Sequence, residues 1–140
     1  FDPAGSFYHP GAPERNDVHF GMTDDIVKVY IDYHARETFD VVVQEVEVPA
    51  EVAARALSAM QAYGAVPNAQ CLLAVSRVIA GLLGFEAVNA VWFPNRLSEA
   101  FARVPGATYQ RITDDDADKN HGVLLQAQDI HAGVVRAIGQ

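Results

Sequence analysis

The sequence predicts an α+β domain, and three observations lead there. Half of the 140 residues are apolar and a fifth are charged, which supports a packed core and excludes a disordered chain. Stretches with helical spacing and stretches rich in β-branched residues follow one another without regular alternation, the pattern of α+β rather than α/β architecture. Residues 68–83 form a helix that is apolar almost all round, so it belongs in the middle of the fold. The length fits one domain over residues 1–140.

Residues 1–22 hold three of the seven prolines and read as an ordered surface loop, anchored by Phe1, Phe7, Tyr8 and Phe20. Thr23 then suits a helix N-cap, with Asp24 and Asp25 at the positive end of the dipole. Ile26, Val29, Tyr30 and Tyr33 share one face of a helix over 23–36, and His34 and Arg36 stand at its cation-favouring end. Residues 39–48 are Val-rich and predict a strand, central at first and more exposed at Glu45 and Glu47. Pro49 suits the first position of the next helix, with Val52, Ala56, Leu57, Met60 and Tyr63 as its buried stripe and Gly64 as its stop. Asn68 is the expected cap of the apolar helix and Gly84 its end. Residues 87–93 are a candidate short strand or extended segment. Pro94 opens a helix with Leu97, Phe101 and Val104 on one face, broken by Pro105-Gly106. Residues 107–112 read as a strand, 114–120 as a polar loop, 122–127 as a further strand and the tail as a weak helix.

The formal net charge is −8, and the ten cations are scattered singly, so phosphate-neutralising nucleic-acid binding is excluded. No apolar run approaches the ~20 residues needed to span a bilayer. One cysteine excludes an internal disulfide and a multi-cysteine metal site. The chain begins at Phe1 without an initiator Met, so we expect a processed fragment or an excised domain.

Cys71 is the most informative residue. With Asn68 as the cap it falls at the third helical position, where free N–H groups and the dipole favour a thiolate. Set against this is the inert core cysteine, common among free thiols. Five histidines are candidate partners. His19 lies in a short apolar segment before Gly21, and His121 opens the late strand with His131 downstream. His34 is explained as a helix-terminal cation, and His9 as a loop residue. Asp114, Asp116 and Asp118 begin like a calcium loop, but its sixth position is Lys119 and its twelfth Leu125. A solvated loop is therefore expected, with no metal and no cofactor. Glycine-rich phosphate loops, HExxH and GxSxG are absent from the sequence.

The succession Asp2-Pro3-Ala4-Gly5-Ser6, helix–strand–helix, Asn68-Ala69-Gln70-Cys71 opening an apolar helix, and Phe93-Pro94-Asn95-Arg96-Leu97 resembles the permuted NlpC/P60 (papain-like) cysteine hydrolases, over about residues 1–112. The resemblance implies a papain-like α+β fold, with the central helix starting near the cysteine and packed on a small antiparallel sheet. It implies Cys71 as nucleophile, with Asn68 and Gln70 in oxyanion or orienting positions. His19-Phe20-Gly21-Met22 matches the letters of the family's histidine segment but stands just before a helix. The base is therefore His19, a histidine upstream of Phe1 with a strand missing here, or, in the unpermuted order, His121 oriented by His131. The implied activity is cleavage of a peptide amide, as in a peptidoglycan substrate of a bacterial secreted or effector protein. A lipid acyltransferase or esterase would use the same residues. The competing class is a non-catalytic acidic interaction module with a basic protein partner and Cys71 as core.

Overall fold

The computed structural model describes residues 1–4, 7 and 22–119. The chain contains two compact units, the first built from residues 1–4 and Val43–Gln110, the second from Phe7, Met22–Val42 and residues 111–119. In order, the elements are α1 (Asp24–His34), β1 (Val41–Glu45), α2 (Ala50–Tyr63), a 3-10 turn (Asn68–Gln70), α3 (Cys71–Ala80), α4 (Pro94–Phe101) and β2 (Thr108–Ile112). Among the described residues, β1 and β2 form a two-stranded antiparallel sheet. The architecture is α+β. The chain passes from the second unit to the first within β1 and returns within β2.

The second unit is organised by α1. The Thr23 hydroxyl accepts from the Ile26 N–H, Asp24 and Asp25 occupy the first turn, and Ile26 and Tyr33 are buried. Phe7 is 2 % exposed and packs edge-on against Tyr30 and Tyr33, with ring centroids 5.0 and 5.4 Å away. The far end of the helix leaves carbonyls without intrahelical partners. Arg36, 4 % exposed, supplies the missing donors. Its Nε donates to the Tyr33 carbonyl at 3.3 Å, and Nη2 donates to the carbonyl of Asp32. Nη1 reaches the Asp116 carboxylate at 3.4 Å. The polar loop after β2 is thus tied down. Asp118 accepts from the backbone and hydroxyl of Thr38 at 3.1 and 2.7 Å, and the Asp116 carbonyl accepts from the Glu37 N–H at 2.8 Å.

The first unit has its own core. Val52, Phe85, Val88, Ala100 and Val104 are buried together, with Val46, Ile79, Leu82, Leu97, Phe101 and Ala107 packed on them. Each fully buried large apolar side chain contributes about 1.5–3 kcal/mol, so this cluster outweighs any polar contact on its surface. Gly64 ends α2 at φ 79° and Gly106 turns the chain towards β2 at φ 82°. Both are left-handed conformations that an L side chain resists.

Several expectations are corrected. β1 has one strand partner among the described residues, so it is not a central strand, and Val42 is exposed. Pro49 is the N-cap of α2, one residue before the helix. Leu57 faces solvent, and Val52 is the buried member of the expected stripe. α3 begins at Cys71, not Asn68, and stops at Ala80 with Gly81 as its cap, before Gly84. Its main packing partner is α2 and not the sheet. It is nonetheless the most buried helix, with Leu73, Ala74, Ser76 and Val78 inside.

The segment 87–93 forms no strand, and the reason is local. Ser76, fully buried, accepts from the Val91 N–H at 2.9 Å, and its hydroxyl lies 3.2 Å from the Val91 carbonyl and 3.1 Å from that of Leu73. One serine hydroxyl thereby does for Val91 what a neighbouring strand would. The expected strand over 122–127 and the weak tail helix lie outside the described residues, as do Tyr8 and Phe20.

Three outcomes follow for stability. Ser76→Ala leaves the half-buried Val91 amide without its acceptor and should cost about 1 kcal/mol, read as a lower urea midpoint by circular dichroism. Arg36→Met, which removes all three donors, should cost about 1–3 kcal/mol. Asp116→Asn should cost less than about 1 kcal/mol, because Asp116 is 69 % exposed and its pairing is screened by water.

Candidate functional site around Cys71

Cys71 is the first residue of α3 and is half-buried. It was expected at the third helical position. The shift arises because Asn68–Gln70 close a separate 3-10 turn, in which the Gln70 N–H donates to the Pro67 carbonyl at 2.7 Å. Gln70, exposed, is therefore the N-cap, and it makes no side-chain capping bond. Asn68 opens the 3-10 turn instead of capping α3. The thiol stays at the N-terminus of α3. The apolar face that follows it is anchored by Leu73, Ala74 and Val78.

The histidines divide sharply. His9, His19, His121 and His131 lie outside the described residues. His34 is the last residue of α1, in the second unit. Its Nδ1–H donates to the Tyr30 carbonyl at 2.7 Å, and its ring lies 4.2 Å from that of Tyr30 and 5.0 Å from that of Tyr33. Carbonyl capping and aromatic packing account for this residue, in keeping with its reading as a helix-end group.

Among the described residues, two grooves of the first unit lie away from Cys71. One, of about 570 Å³, runs between Glu45, Val46, Glu47 and Pro105, Gly106, Thr108. The other lies between α2 and α3, near the opposite end of α3 from the thiol.

Asp118, the third member of the expected spacing, is engaged by Thr38. Asp114 accepts from the Asp116 backbone N–H at 2.8 Å, an Asx turn. Oxygens of Asp32, Asp114 and Asp116 do come within 4.8 Å of one another. The Arg36 guanidinium beside Asp116 offsets part of that charge.

No protein-family model, no curated protein and no solved structure matches the chain. The resemblance to the permuted NlpC/P60 hydrolases rests on Cys71 and the short motifs quoted above. Of those, Pro94-Asn95-Arg96-Leu97 does open a helix, with Pro94 in its first turn.

Proposed function

We propose that the chain is a thiol-dependent amidase or peptidase of the papain-like kind, with Cys71 as nucleophile and a peptide amide as substrate, as in peptidoglycan. The observation that carries the reading is the placement of Cys71: at the first residue of the most buried helix, yet itself half-exposed. A cysteine that only fills a core needs no such position.

In this reading the Cys71 thiolate attacks the amide carbonyl carbon, and electrons move onto the carbonyl oxygen. Collapse of that intermediate expels the amine, which takes a proton from the histidine and leaves a thioester. Water, deprotonated by the same imidazole, then releases the acid and restores the thiol. The Gln70 N–H is already committed to Pro67, so in this reading the oxyanion donors are backbone N–H groups in the first turn of α3, after Cys71. His19 is the proposed base, with His121 and its partner His131 as the alternative order.

A second reading, an interaction module without catalysis, is favoured by Trp92 and Phe93. These neighbours are 55 % and 71 % exposed on the segment entering α4, and exposed aromatics are typical binding anchors.

Alkylation separates the two. At pH 7 iodoacetamide should modify Cys71 at least about tenfold faster than free cysteine, and His19→Ala should remove that advantage while the circular dichroism spectrum is unchanged. Loss in His121→Ala instead assigns the base to the late strand. A rate equal to that of free cysteine in the parent chain favours the interaction module.

A further inference from the structure

The groove between α2 and α3 gathers cations in a chain that is otherwise acidic. Arg55, Ala59 and Tyr63 reach it from α2, at i, i+4 and i+8 of one helix face. Arg77, Val78, Gly81 and Leu82 reach it from α3 and its cap. Val78 is buried, Leu82 and Ala59 are half-buried, and both arginines are exposed. The groove therefore has an apolar floor and a guanidinium rim, with a volume of about 290 Å³, close to the lower bound for small-molecule sites.

Of the other described arginines, Arg36, Arg96 and Arg111 pair with a carboxylate, at Asp116, Glu99 and Asp40, while the exposed Arg103 pairs with none among the described residues and does not line this groove. Among the described residues no carboxylate pairs with Arg55 or Arg77, although acidic residues outnumber basic ones by 18 to 10. Arg77 donates from Nη1 to the Tyr63 hydroxyl oxygen at 3.2 Å. This orients the guanidinium across the groove and leaves the Tyr63 O–H proton available to a ligand. Two forked guanidinium groups and a phenol are a donor set suited to an oxyanion.

We propose that this groove binds a small organic oxyanion, a phosphate or carboxylate carrying a compact apolar body. Arg55, Arg77 and Tyr63 hold the charged head, and Ala59, Val78 and Leu82 hold the body. The site is separate from the thiol: Arg77 lies six residues along α3 from Cys71, roughly 9 Å at 1.5 Å per residue. It stands whether or not Cys71 is a nucleophile.

The test is a titration of the full chain with phenyl phosphate, 3-phenylpropionate, inorganic phosphate and the uncharged 3-phenylpropanol, followed by amide NMR and calorimetry. Both charged aromatic ligands should shift the amides of Ala59, Val78, Gly81 and Leu82 together, and the tighter of the two identifies the oxyanion. Inorganic phosphate should bind more weakly, for want of the apolar body, and 3-phenylpropanol at least about tenfold more weakly. Arg55→Gln and Arg77→Gln should each weaken binding about tenfold, and Tyr63→Phe several-fold. Equal affinity for 3-phenylpropanol overturns the proposal, as does affinity unchanged in the Arg55→Gln, Arg77→Gln double variant. So does the absence of shifts up to about 10 mM ligand, including the case in which only a Glu-rich peptide binds.

Discussion

Within α3 the Ser76 hydroxyl sits without access to solvent, and it meets both the N–H and the carbonyl of Val91. The Ser76 hydroxyl is buried and Val91 half-buried, so neither is matched by water alone, and this contact fixes where the chain runs after α3. Phe85 and Val88 enter the core just before it, and α4 begins at Pro94 just after. The turn bonds Phe85 N–H to Leu82 carbonyl and Val88 N–H to Phe85 carbonyl, 3.2 and 2.9 Å, carry the chain from one to the other. The core of the first unit thus forms around a non-repetitive segment, and one serine supplies the hydrogen bonding that regular structure would otherwise provide.

This also explains what could be read in advance. α1 was legible because cap, charge and spacing agree: Thr23 accepts from Ile26, acids fill the first turn, and the apolar stripe has helical period. The α4 start and β2 were legible for similar reasons, through Pro94 and the β-rich run ending at Ile112. For 87–93 the sequence leaves a short strand and an extended segment both open, because Val and aromatic residues favour extended backbone, while the choice depends on Ser76, 15 residues before Val91. The start of α3 slipped by two residues because Asn is a good cap by type, whereas Pro67 had already drawn the Gln70 N–H into a tighter turn.

Site residues divide in the same manner. Cys71 at a helix start was legible from local sequence, and that placement holds with a changed register. The arginine groove was not legible, because Arg55 and Arg77 belong to different helices and appear as isolated charges along the chain. Arg36 read as a cation favourable to a helix dipole. Its larger part, donating to two carbonyls and a carboxylate, depends on the loop after β2 folding back to bring Asp116 within reach.

The one tryptophan of the chain is Trp92, immediately after the Ser76-bound Val91, and more than half of its surface meets water. An indole already solvated in the native state emits near the wavelength it would have in an unfolded chain. Intrinsic tryptophan fluorescence therefore carries little signal for global unfolding here. The same exposure makes the indole responsive to whatever approaches this segment: quenching by iodide, or a blue shift when it is covered, reads occupancy of the Trp92–Phe93 surface without any added label.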